Sequence, residues 1–162
     1  MDHVDRILEQ WAEQRPDLDT SAMGLIGRLK RLSHYVEGEM EQTFARLGLN
    51  LSSFDVLATL LRSGPPYQLS PGELIASSMV TSGTMTNRIN QLEKQGMIER
   101  RKNPKDGRGA IIALTALGHD TISQAVAEHV VTQKSVVSEL SVMERKSLDA
   151  LLRRFLERYD ND

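Results

Sequence analysis

Between Thr81 and Gly109 the chain carries two kinds of polar residue whose types and spacing suit contact with a nucleic acid. Thr84, Thr86, Asn87 and Asn90 are short hydrogen-bonding side chains with no apolar bulk to bury. Groups of this kind meet base edges and phosphates when a helix lies in a major groove. Arg100, Arg101, Lys102, Lys105 and Arg108 crowd around Asp106-Gly107, a residue pair that favours a type I′ hairpin turn. Arg108, at the tip of that hairpin, is placed to enter a minor groove, whose negative potential attracts arginine. A salt bridge to Asp106 is the alternative for Arg108, and the two are compatible.

A second group of residues suits a small ligand. Asp55 lies in the apolar segment SSFDVLATLLR, where an unpaired buried carboxylate would be costly. Either it has a cationic partner, or it is solvated near a helix N-terminus, where its charge is favourable anyway. Arg62, seven residues on, falls on the same face at about 10 Å. Arg88 lies roughly 65–70° around the helix from the mean direction of Met85, Ile89 and Leu92. It can therefore reach inward to Asp55, or reach a phosphate from the helix edge. Trp11 is either a packing anchor or one wall of a pocket.

The elements that must position these residues follow from periodicity. Met85, Ile89 and Leu92 recur at i, i+4 and i+7, so the polar helix turns one narrow stripe to a core. Before it, Ser70-Pro71-Gly72-Glu73 reads as a capping box with proline at the first helical position. The short helix it starts, a turn at Ser77-Ser78-Met79-Val80 and the polar helix have a helix-turn-helix layout. The basic hairpin, returning through Ala110 to Leu114, makes it winged. Upstream, a short amphipathic helix over residues 2 to 14 carries Val4, Ile7, Leu8, Trp11 and Ala12. A long helix runs from Thr20 to about Leu47, with Ala22, Ile26, Leu29, Ser33, Val36, Met40, Phe44 and Leu47 on one stripe and Gly48 as its stop. The segment Ser52 to Arg62 is a third helix, and Gly64-Pro65-Pro66-Tyr67 a rigid connector. Downstream, Thr115 caps a helix running to about Leu140, and Ser141 with Glu144 starts the last.

This predicts a mainly α protein with a small β-hairpin wing. It is read as one domain over 1–162: N-terminal helices at 1–47 (1–16 an extra helix), a winged helix-turn-helix at 48–114, and C-terminal dimerisation helices at 115–162. The last helix presents Leu148, Leu151, Leu152, Phe155, Leu156 and Tyr159. Together with the first helix it has more apolar surface than a small winged domain can cover. A homodimer with interleaved terminal helices is expected, its two polar helices one turn of DNA apart on a palindromic operator.

Composition agrees once it is divided. The net charge over 162 residues is −2, but residues 81–110 hold seven Lys/Arg against three Asp/Glu, a local +4 that leaves −6 elsewhere. A basic patch on an acidic body holds DNA in one place and repels it elsewhere. Cysteine is absent, which excludes disulfides, thiol nucleophiles and thiolate metal sites. No nucleophile–base pair, phosphate loop or metal-ligand motif is present, so an enzyme is not expected. His3, His34, His119 and His129 are isolated, although a metal-sensing regulator is a rival reading. No apolar run approaches the ~20 residues that span a bilayer, so no membrane partner, no cofactor and a cytoplasmic location are expected.

The segment Thr81-Ser82-Gly83-Thr84-Met85-Thr86-Asn87-Arg88-Ile89, with Leu92-Glu93, Gly96-Met97-Ile98 and Arg100-Arg101, resembles the recognition helix and first wing strand of the MarR family. Pro104, Asp106, Arg108-Gly109, Leu114-Thr115 and Gly118 are similar to that family's wing signature and exit. The resemblance implies a homodimeric winged helix-turn-helix transcription regulator, usually a repressor released by a small ligand. It adds Ser82 to the DNA-contacting candidates Thr84, Thr86, Asn87, Asn90, Arg101, Lys102, Lys105 and Arg108. A narrower resemblance rests on Trp11, Glu13, Arg15 to Asp19, Phe54 to Ala58 and Gly64 to Tyr67. It is to the urate-responsive, PecS- and HucR-like branch, with its extra N-terminal helix. That branch implies an effector site at Trp11, Asp55, Arg88 and Arg100, for urate, a related purine or another small anion. Regulators with this skeleton also respond to phenolic compounds.

Overall fold

In the computed structural model, residues 1–79, 82–103 and 109–160 are described, with the side chains of residues 82–84 left aside. Ten elements follow in order: α1 (His3–Gln14), α2 (Ser21–Ala45), α3 (Leu51–Arg62), β1 (Gln68–Leu69), α4 (Pro71–Ser77), α5 (Ser82–Lys94), β2 (Ile98–Lys102), β3 (Ala110–Leu114), α6 (Ala116–Val136) and α7 (Val142–Asp160). The helix starts are set by local hydrogen bonding. Asp2 and Asp5, and Ser70 and Glu73, close capping boxes, while Asn50 accepts from Ser53 N–H and Thr115 from Gly118 N–H. Ser141 and Glu144 exchange the same pair of contacts ahead of α7.

The core lies where α3, α4 and α5 meet the sheet and the adjoining halves of α2 and α6. Phe44, Leu57, Leu60, Leu74, Leu92 and Ile122 are fully buried there. The α5 stripe enters it as expected, with Met85, Ile89 and Leu92 all buried. After Lys94 the chain reverses through Gly96, at φ 71°. Gly96 N–H donates to Glu93 C=O and Met97 N–H to Leu92 C=O, a Schellman ending that favours glycine in the left-handed position. A second glycine matters for another reason. A Cβ on Gly118 would lie 1.8 Å from the Met97 carbonyl oxygen, so only glycine lets α6 start against the end of α5.

The sheet is antiparallel in the order β1-β3-β2. Central β3 is buried from Ile111 to Leu114, whereas β2 is exposed beyond Ile98. Strand β1 was not expected, since residues 64–67 read only as a connector. Two residues are too few to show a period, and β1 is defined by its pairing with Ala113 and Ile112. Helix α6 also ends earlier than expected, at Val136, in tighter turns through Ser138 and Leu140; the β-branched pair Val136-Val137 lies at this break.

The terminal helices depart most from burial by one chain. Helix α1 docks on α2 through Val4 and Leu8, which sit over Gly27 and Gly24. Arg28 adds ion pairs to Asp2 and Asp5. On α2, the predicted stripe is buried only in its second half, at Met40 and Phe44, whereas Ile26 in its first half is exposed, as are Leu25, Leu32 and Tyr35 beside it. Helix α7 buries no residue. No helix among the described residues is long and apolar enough to cross a membrane.

Candidate DNA interface and effector site

Helix α4, a turn through Ser78 and Met79, and α5 stand against α3 and the sheet. Thr86, Asn87 and Asn90 are exposed on α5, the two asparagines opposite the buried stripe. Arg101 and Lys102 continue the exposed surface along β2. Arg101 is paired with Glu99 and lies 3.5 Å from the Gln68 amide oxygen. At the base of the wing, Asn103 N–H donates to Gly109 C=O at 2.8 Å. Lys105 and Arg108, with the Asp106-Gly107 turn, lie outside the described residues, as do the side chains of Ser82 and Thr84.

The four residues expected at the effector site fall in four places. Asp55 accepts a hydrogen bond from Met79 N–H at 2.7 Å, so an α3 carboxylate holds the turn leading into α5. Arg62 does related work two turns along, donating to the Ser77 carbonyl. Arg88 reaches inward from α5. Its Nη1 donates to Ser53 Oγ at 3.1 Å and to Gln91 Oε1 at 2.8 Å. Its Nε is buried and meets no acceptor.

Arg100 grips α5 from the other flank, where it pairs with Glu93 and donates to Asn90 Oδ1 at 2.5 Å. On a helical wheel Arg88 and Glu93 stand about 140° apart. Trp11 is on α1, which packs against α2, and the residue is 38% exposed.

The expected reach of Arg88 to Asp55 is therefore corrected. Among the described residues the arginines bind Ser53, Gln91, Glu93 and Asn90, and the carboxylate binds a backbone N–H. Ser53 and Asp55, two residues apart, point about 200° from each other around α3. The helix thus meets Arg88 on one side and the turn on another. Sequence reasoning missed Ser53, Gln91 and Glu93; a hydroxyl three residues after the Asn50 cap was the available signal for Ser53.

Elsewhere, His129 Nδ1 is buried without a hydrogen-bond partner, its ring 4.8 Å from Phe54 and 5.2 Å from Phe44. Burial holds its pKa below the ordinary value. Grooves of about 510 and 740 Å³ run along α2 and α6, lined by Leu32 and Val36 among others. Among the described residues no three His, Asp or Glu side chains converge as a metal site would need.

A short helix, a turn, an exposed polar second helix packed on α3 and the sheet, and a basic β-ribbon define a winged helix-turn-helix DNA-binding regulator. The chain belongs to the MarR family of transcription regulators. Residues 47–109 match the MarR family model. The chain is 37% identical over 151 residues to the HTH-type transcriptional regulator PecS of Dickeya dadantii, across 93% of this chain and 91% of that protein. It is 29% identical to the HTH-type transcriptional repressor YetL of Bacillus subtilis, across 93% and 90% of the two chains. Among solved structures, a cysteine-to-serine mutant of MarR from E. coli complexed with operator DNA superimposes with a TM-score of 0.72 at 23% identity, over 90% of this chain and 97% of that one. The organohalide-sensing RdhR regulator in its 2,4-dichlorophenol-bound form gives 0.77 at 19% identity, over 88% and 82%. At such identities these two likenesses speak to the fold alone. These relatives are regulators of transcription, not enzymes.

Proposed function

We propose that the chain is a ligand-responsive repressor that binds a palindromic operator as a homodimer and is released by a small anion such as urate or a related purine. The observation that carries the ligand reading is Arg88. A guanidinium N–H that is buried without an acceptor is costly, and it marks a place for an acceptor-rich molecule at the joint between α3 and α5. Asp55 and Arg88 hold the two ends of that joint. Trp11 and Arg100 remain in the proposed ligand set on the resemblance to the urate-responsive branch.

An anion bound at Arg88 would compete with Ser53 for the guanidinium and loosen the hold of α3 on α5 from that side. With only the Asp55 contact to Met79 left at the other end of the joint, α5 would shift against α3. Only a difference in ligand affinity between the two states can drive this, and a coupling of ~1–3 kcal/mol is ordinary. The exposed apolar faces of α2 and α7 support dimerisation, with 1–47 and 115–162 as the dimer region around the winged domain. Thr86, Asn87, Asn90, Arg101 and Lys102, with Ser82, Thr84, Lys105 and Arg108 from the sequence, are the proposed DNA contacts.

The test is a titration of urate, related purines and simple phenols into a complex of the protein with duplex from its own upstream region. Release by urate or a purine supports the anion reading. Release by phenols alone would move the effector class toward that of the organohalide-sensing neighbour. No release by any of them would sink the ligand reading.

A further inference from the structure

The contact between Arg100 and Asn90 fixes a direction as well as a distance. Arg100 Nη2 donates to Asn90 Oδ1 at 2.5 Å while Nη1 is paired with Glu93. A guanidinium carries five donors and no acceptor. Only the oxygen end of a carboxamide can face it. The Asn90 NH₂ is therefore turned away, on an exposed residue opposite the buried stripe of α5, and has no partner among the described residues.

We infer that Arg100 is a positioning residue that presents Asn90 to DNA as a hydrogen-bond donor only. The inference rests on α5 being the DNA-contacting helix. A donor-only Asn90 selects an acceptor on the duplex: a phosphate oxygen, or a base-edge acceptor such as guanine N7 or O6 or thymine O4. The bidentate pairing of asparagine with adenine needs the amide oxygen and nitrogen together, and it is closed while Arg100 holds the oxygen. The grip has two points, Glu93 and Asn90, three residues apart on one side of α5. Lysine, with a single nitrogen, keeps the charge but cannot match the forked geometry that spans both.

The test uses the full-length protein and duplexes that the wild type selects from a random library. Asn90→Ala is expected to weaken binding about tenfold. Arg100→Lys should weaken it by a similar factor while the dependence of log K on log salt keeps its slope, because no charge is lost. In the double variant the loss should stay near tenfold rather than multiply to about a hundredfold. With a base-edge acceptor, both single variants change the selected sequence at the same base pair of each half-site, adenine gaining there in Arg100→Lys. With a phosphate acceptor, both weaken all sequences evenly. Losses that multiply in the double variant would overturn the inference, as would an Arg100→Lys protein that binds and selects like the wild type. Failure of the wild type to select any duplex would count against DNA binding itself.

Discussion

The Asp55 carboxylate accepts the Met79 backbone N–H at 2.7 Å, so the third helix holds the turn from which the recognition helix departs. Removing the acceptor should therefore act on DNA binding more than on the fold. Asp55→Ala leaves that N–H without its anchor, a change worth ~1–3 kcal/mol where a hydrogen bond to a charged group is lost. We expect operator affinity to fall about tenfold in fluorescence anisotropy, with a smaller loss for Asp55→Asn, which keeps an oxygen. A fall in thermal midpoint with unchanged affinity at low temperature would show that Asp55 serves the fold alone.

Gly118 should tolerate no side chain. Its missing Cβ faces the Met97 carbonyl oxygen, a backbone atom that cannot turn aside. Gly118→Ala should destabilise the chain by about 1–3 kcal/mol, as overpacking does, visible as a lower urea midpoint at unchanged slope. A midpoint equal to the wild type would mean that α6 shifts freely at its start.

His129 makes stability depend on pH. Burial beside Phe44 and Phe54 holds the imidazole below its ordinary 6.5. Above that value folded and unfolded chains both carry the neutral ring. As pH falls through it, the unfolded chain takes up the proton first. Stability should therefore decline as pH falls below about 7, and His129→Gln should flatten the decline. A wild-type and variant difference that does not change with pH would contradict this.

The exposed apolar face of α7 predicts an interface. Leu152 and Phe155 are 37% and 41% exposed and belong to no buried core of the chain. Phe155→Glu should shift the protein from dimer toward monomer in light scattering after gel filtration while the helical signal is largely kept. A variant that stays dimeric at micromolar concentration would place the interface elsewhere.

What could be read from the sequence divides along physical lines. The capping boxes at Ser70 and Ser141 and the stripe Met85-Ile89-Leu92 are local patterns, and the structure bears them out. Strand β1 exists only through a partner forty-odd residues away in sequence, so no local pattern announced it. The stripe on α2 was legible as apolar, but periodicity cannot say whether its own chain covers it. Ala22, Ile26 and Ser33 of that stripe remain exposed. Arg88 was correctly placed on the inward flank of α5, yet its partner is a hydroxyl and not the expected carboxylate. Asp55 binds a backbone N–H, a donor that every non-proline residue offers and that no residue pattern encodes. Arg100 reaches Asn90 because β2 folds back along α5 after Gly96, a consequence of chain reversal.

Arg88 is the proposed point where an anion displaces a contact inside the protein. The most direct measurement compares wild type and Arg88→Gln in the same experiment, urate titrated into each protein bound to operator duplex. The expected result is that the wild type is released and that Arg88→Gln still binds the duplex but needs at least about tenfold more urate for release. Release of both proteins at the same urate concentration would contradict it.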